Sequence, residues 1–279
     1  MIGKFLRKIS IIAVSAFICV GGGLSVRAAG DGKSVAVGAS VALSDQEHMA
    51  IKNLALHCGL KEEDLKQALS FEVSEKSNFF GKPCSLVPVR GCEEHLNCFL
   101  RVFSYAKPEY MKYYANGELK SAESVKAWFE RAVKNISQDS PKSTTFLIKV
   151  GDNVVGRIGI GPLADRKAED TEIGYAIEEA YSGQGVMSKA VGSAISFLKL
   201  LREGGKKSVY DFTRLRATAK FDNKPSNKIL CASGFIKSKE PADDGCGPEN
   251  EYFYYFDKQN QINLPLDPGQ FFICKTACE

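Results

Sequence analysis

The chain has 279 residues, 44% hydrophobic and 25% charged, the composition of a globular protein able to bury one full domain core plus an appendage. Its 37 basic and 33 acidic residues leave a formal charge of +4. They are spread along the chain with no Lys/Arg-dense run that would track a nucleic-acid backbone, so no nucleic-acid partner is expected.

Lys4, Arg7 and Lys8 precede an apolar run from Ile9 to about Val20, followed by three glycines and Val26-Arg27-Ala28-Ala29. This order of charge, apolar stretch and small residues fits a signal peptide cut near Ala28 or Ala29. An uncleaved anchor over 9–26 is the alternative, which Gly21 to Gly23 weaken. A lipoprotein cysteine at Cys19 is disfavoured by the bulk of Ile18 beside it. Either main reading of residues 1–29 predicts export or membrane association. Residues 30–45 are small, Gly/Ser-rich and aperiodic, as in a flexible linker.

From Ser44 to Phe71 apolar residues recur at spacings of three and four, broken at Cys58-Gly59, which predicts two short helices. Glu62 to Asp64 open the second, where the helix dipole favours acids. Residues 72–97 read as loop, with Gly81, Pro83, Pro88 and Gly91. Pro108 to Tyr114 predicts a short helix and Ser121 to Val133 a longer one, N-capped by Ser121. FLIKV from Phe146 and NVVGRIGI from Asn153 flank Gly151-Asp152 as a hairpin, and a strand EIGYAI follows from Glu172. An amphipathic helix runs from Val186 to about Leu201 and stops at Gly204-Gly205. A strand RLRATAK, a short helix from Pro225 to Gly234 and β runs at Phe235 and Glu251 complete an α/β chain, a mixed sheet with helices packed on it.

The informative stretch is EIGYAIEEAYSGQGVMSKAV, a strand, a Gly-rich turn and a helix start. Glycines let backbone approach a ligand, and unpaired first-turn amides beside the positive helix end suit a pyrophosphate. Gly183-Gln184-Gly185-Val186-Met187-Ser188 lacks the third glycine of a dinucleotide fingerprint, and Ser188-Lys189 reverses the P-loop order. A tight turn without a ligand is the structural alternative.

Glu172-Ile173-Gly174-Tyr175, Gly183-Gln184-Gly185 and Ala190, followed by Asn223, Ser226, Leu230 and Gly234-Phe235, resemble the GNAT superfamily, and within it the ribosomal-protein N-terminal acetyltransferase branch. Upstream, Leu100-Arg101 is similar to its opening strand and Pro108-Glu109-Tyr110-Met111 to its first helix. The resemblance covers roughly 99–257 and implies a mostly antiparallel GNAT-like sheet, with an extension at 46–98 and a tail at 258–279. It implies acetyl transfer from acetyl-CoA to a primary amine, a protein N-terminus or a small amine. Backbone of Gly183, Gln184, Gly185, Val186 and Met187 would hold the pyrophosphate, and Ile173, Tyr175 and Ile177 would pair with the pantetheine arm. Ser182 departs from the family's usual Arg or Gln, and Met187 from its usual small residue.

Glu172 is the candidate general base and Ser226 the candidate acid for the leaving thiolate. Asn223 would bond the pantetheine. Each has a plainer alternative: a strand-end carboxylate, a first-turn hydroxyl and an N-cap. Tyr252, Tyr254 and Tyr255 are further acid candidates, or packing residues of a strand. Cys84, Cys92, His95 and Cys98 offer four N/S groups at a spacing that matches no strong zinc pattern, so no metal is assigned. The chain's other histidines are His48 and His57, which leaves the C-terminal domain without one and excludes a Ser-His-Asp hydrolase there.

Eight cysteines beyond Cys19 (Cys58, Cys84, Cys92, Cys98, Cys231, Cys246, Cys274 and Cys278) are compatible with disulfides in an oxidising compartment. Export conflicts with the cytosolic supply of acetyl-CoA. A disulfide-stabilised, catalytically inactive binding module is therefore the competing expectation.

Overall fold

The computed structural model describes residues 43–114, 118–138, 143–162, 170–204, 212–243 and 248–257. The leader, nearly all of the linker, the tail and Cys246, Cys274 and Cys278 lie outside them. No helix among the described residues is long and apolar enough to cross a membrane.

Among the described residues seven α-helices and nine strands follow one another: α1 Asp45–Cys58, α2 Glu62–Leu69, β1 Ser70–Phe71, β2 Cys84–Pro88, α3 Glu93–Phe103, α4 Pro108–Met111, α5 Ala122–Ile136, β3 Thr144–Val150, β4 Asn153–Pro162, β5 Asp170–Ile177, α6 Val186–Gly204, β6 Arg214–Lys220, α7 Lys224–Ala232, β7 Ile236–Lys237, β8 Ala242–Asp243 and β9 Pro248–Tyr255. The strands form one mixed sheet in the order β1-β2-β3-β4-β5-β6-β9-β7, with β8 on β9. Every pairing is antiparallel except β5 with β6.

Strand alternation sends successive side chains to opposite faces and so builds two cores. Leu86, Phe146, Ile148, Ile158, Ile173 and Leu215 meet α1, α2 and α6 on one face. Val87, Leu147 and Val154 meet α3 and α5, including Phe99, Phe103 and Phe129, on the other. Gly151, at φ +59°, turns the β3–β4 hairpin.

Helix α1 begins with a capping box: the Glu47 amide donates to Ser44 Oγ (3.3 Å) and the Ser44 amide to Glu47 Oε2 (2.7 Å). Glu47 is 1% exposed and also receives Lys149 Nζ from β3 at 2.8 Å, which ties the helix to the sheet. Burial pushes the Glu47 carboxyl up, but the hydrogen bonds from Lys149 and Ser44 outweigh it and hold the group below the usual carboxylate range.

Four expectations are corrected. Residues 72–97 are not loop throughout, since they contain β2 and the start of α3. Strand β2 is buried on both faces and so shows no alternation, while His95, Cys98, Phe99, Val102 and Phe103 form the buried stripe of a helix. Leu100-Arg101 is therefore not a strand: both residues lie inside α3. A border at 98/99 falls inside α3. The expected disulfide is not found among the described cysteines: Cys58, Cys84, Cys92, Cys98 and Cys231 are thiols.

Candidate active site

Among the described residues strands β5 and β6 pair at three positions, Asp170↔Arg214, Thr171↔Leu215 and Glu172↔Arg216. Beyond Glu172 they part, although β5 stays paired to β4 as far as Ile177 and β6 to β9 as far as Lys220. The splay opens a cavity of about 930 Å³, lined by residues of β5, β6, α4, α7 and the turn before α6.

Backbone groups alternate sides along a strand. The Glu178 amide bonds Val155 O of β4 (2.8 Å), whereas the carbonyl of Ile177 accepts from Tyr110 Oη at the cavity. Ile173 and Tyr175 share the parity of Ile177, so their peptide groups also face the open edge. A Cβ at Gly174 would meet nothing within 4 Å, so the wedge has room beside this edge.

At the wide end, Gly183 (φ +71°) and Gly185 (φ +78°) adopt a conformation that costs other residues about 1–2 kcal/mol. The first intrahelical bond of α6 runs from the Lys189 amide to Gly185 O (3.2 Å), so the amides of Val186, Met187 and Ser188 precede the ladder. Gly183, Gly185 and Met187 line the cavity, while the Val186 side chain is fully buried in the core. The Gln184 side chain turns away: its Oε1 accepts the Asn78 amide (3.1 Å) from the loop before β2. Beside it, Phe79 of that loop stacks on Tyr181 with centroids 4.7 Å apart.

The candidate catalytic side chains lie on opposite faces of β5. Glu172 lines the cavity on the α3/α5 side and accepts a hydrogen bond from Arg216 Nη1 (2.7 Å), while Arg216 Nε donates to Glu251 (2.5 Å). On the α6/α7 side the Tyr175 hydroxyl meets Ser226 Oγ at 2.8 Å. Burial pushes the Tyr175 phenol up to about 12, against the lowering effect of that hydrogen bond, so it stays protonated across the working pH range.

Asn223 lines the cavity, but its Oδ1 caps α7 by accepting the Ser226 amide (3.2 Å). The structure thus shows the capping alternative for its side-chain oxygen. Tyr252 donates to Asn227 (2.7 Å), Tyr254 packs on Phe235 and Phe256, and neither they nor Tyr255 line the cavity. Asn227 escaped the sequence reading, yet it joins Lys220 O, Asn250 and Tyr252 and so fixes α7 against β6 and β9. Lys228, exposed on α7 at the cavity, was also missed; an Asn-x-x-Ser helix start gives no hint of which later lysine faces inward.

The cysteine–histidine quartet is not assembled. The Cys84 thiol points to Lys82 O (3.4 Å) and the Cys98 thiol to Gly156 O (3.7 Å). Cys92, Glu94 and His95 do place ligand atoms within 4.8 Å of one another, but His95 Nδ1 already accepts the Arg90 amide (3.0 Å).

Residues 88–236 match the model of the acetyltransferase (GNAT) domain, more than half of the chain. The chain belongs to the GNAT acetyltransferase family. The match starts at the end of β2, so this GNAT protein carries α1, α2, β1 and most of β2 outside the family region.

Among solved structures, it is similar to the ribosomal L7/L12 alpha-N-protein acetyltransferase RimL in complex with coenzyme A: 18% identity, TM-score 0.48, covering 67% of this chain and 98% of that one. The microcin C7 self-immunity acetyltransferase MccE, in complex with acetyl-CoA and AMP, is 18% identical with TM-score 0.46 over 66% and 99%. The ribosomal-protein-S5-alanine acetyltransferase from Vibrio fischeri is 16% identical with TM-score 0.46 over 68% and 98%. No curated protein sequence matches the chain.

Proposed function

We propose that this chain is an acetyl-CoA-dependent N-acetyltransferase that uses the β5–β6 wedge as its cofactor cleft. The carrying observation is the coincidence, in one cavity, of an unpaired strand edge and a glycine turn that precedes the α6 ladder. The open space at Gly174, Gly183 and Gly185 fits a ligand lying against bare backbone. Backbone of Gly183, Gln184, Gly185, Val186 and Met187 would hold the pyrophosphate. Ile173 and Tyr175 would pair with the pantetheine amides, and Ile177 would do so once Tyr110 releases its carbonyl.

In the transfer, the acceptor nitrogen forms a bond to the thioester carbonyl carbon and the carbon–sulfur bond breaks. Glu172, directly or through a water, takes the proton lost by the amine. The Tyr175–Ser226 pair, from the other face of β5, returns one to the departing sulfur. Placing base and acid on opposite faces of one strand lets the acyl group lie between them.

A peptide N-terminus is the acceptor favoured by branch resemblance. Ser182 supplies neither the charge nor the amide usual at that position and favours a second reading, a GNAT fold that no longer uses the cofactor. Calorimetry on the full chain decides between them. Micromolar acetyl-CoA binding that Gly185→Glu abolishes supports the enzyme, whereas well-folded protein without binding supports the second reading.

A further inference from the structure

Arg157 on β4 is 6% exposed, and no carboxylate pairs with it among the described residues. Its hydrogen bond there runs from Nη1 to Tyr114 Oη (3.3 Å), while Nε is buried with no partner. Aromatic rings surround the guanidinium, with Trp128 at 4.5 Å, Phe99 at 5.6 Å and Phe103 at 5.8 Å. Cation–π contacts offset part of the desolvation of a buried charge, but they leave the in-plane donors of the Nε–Nη2 edge unused.

The sheet register shows where that edge lies. Arg157 is opposite Ala176, Gly159 opposite Gly174 and Gly161 opposite Glu172, so all six share the α3/α5 face. Nη2 rests over Gly159, where an added Cβ would come within 2.1 Å of it. The next position across the sheet is Gly174, with nothing within 4 Å of a Cβ, and the next residue on that face is Glu172. The row thus reads guanidinium, open glycine, carboxylate, with about 7 Å between the glycine and Glu172 along the strand. Tyr114, Gly174, Ala176 and Glu172 line the cavity, and Arg157 lies behind them rather than among the lining residues.

We infer that Arg157 is a specificity determinant that binds a carboxylate carried by the acceptor amine, on the same sheet face as Glu172. This rests on the acetyltransferase reading given above. A planar carboxylate matches the side-on fork of a guanidinium whose flat face is covered by Trp128. The carboxylate belongs either to a small amino acid or to an acidic residue near a peptide N-terminus.

The test measures coenzyme A release with matched acceptors on the full chain: γ-aminobutyrate and ε-aminocaproate against their amides, and short peptides with Asp against Asn at the second or third position. The expected result is a KM roughly ten- to hundred-fold lower for the acid of at least one pair. The pair that responds tells the small acid from the peptide. Arg157→Gln should remove the preference while the acetyl-CoA dissociation constant stays within twofold. Gly159→Ala, which keeps the charge but displaces Nη2, should reduce it. Turnover that treats acid and neutral acceptors alike overturns the inference.

Thermal melting with the same probes covers the remaining cases. If acetyl-CoA does not bind, the acetyltransferase reading fails on its own; if it binds but none of these acceptors is turned over, melting alone decides on the site. Stabilisation by a carboxylate probe that Arg157→Gln abolishes then still supports the site, and equal melting of both variants overturns it.

Discussion

The hydroxyl of Tyr175 and Oγ of Ser226 meet at 2.8 Å across the wedge, joining the splayed strand β5 to helix α7 over a separation of 51 residues. Either oxygen can donate. Removing one therefore leaves the other to protonate the leaving thiolate. Tyr175→Phe and Ser226→Ala should each lower kcat by roughly tenfold, and the double variant by more than the product of the two. A double-mutant cycle on kcat checks this, and fully additive losses would count against a shared role.

Glu172→Gln should lower kcat by about 10²- to 10⁴-fold with little change in acetyl-CoA affinity. Unchanged turnover across pH would reject Glu172 as the base. Arg216, 3% exposed between Glu172 and Glu251, has a structural part. Arg216→Met removes the cation between Glu172 and Glu251 and should cost about 1.5–3 kcal/mol of stability, measured by urea unfolding.

Gly185→Ala tests the turn without adding charge. There is space for the methyl group, so the cost comes from φ +78° alone, about 1–2 kcal/mol, and acetyl-CoA affinity should fall about tenfold as the turn relaxes. Calorimetry and thermal melting separate the two effects.

His95 predicts a pH dependence of stability. Burial, then the Arg90 charge, pushes its imidazole down to about 4 from an ordinary 6.5, with Lys149 adding to this and Glu47 opposing it. The unfolded chain thus binds the proton first as pH falls. The contribution is complete above pH 6.5 and is lost on the way down to about pH 4, roughly 3 kcal/mol in all. His95→Gln should flatten the stability curve in that window. Glu47, held low, loses its own contribution at the acid end as it protonates.

The elements nearest the site were legible because each is carried by contiguous residues. The strand from Glu172, the glycine turn and α6 follow from a period-two run, two glycines and a period of 3.6. Strand β2 was not legible, because burial on both faces erases alternation. Neither was the Tyr175–Ser226 contact, which depends on how far two strands diverge. Arg157 had a faint signal: in Arg157-Ile158-Gly159-Ile160-Gly161 the isoleucines take one face, leaving a charge and two glycines alone on the other. The space so cleared holds Arg157 Nη2 over Gly159 and Ser143 over Gly161.

The hydrogen bond from Asn78 to Gln184 and the stack of Phe79 on Tyr181 have a practical consequence. The region shared with the family begins at residue 88, but the glycine turn leans on residues that precede it. What is inherited as a module and what folds as a unit are therefore different lengths of chain. A fragment trimmed to the family border would bare the faces of α6 and β3 and loosen the turn, so an excised version should begin no later than Ser44, where the first helix is capped.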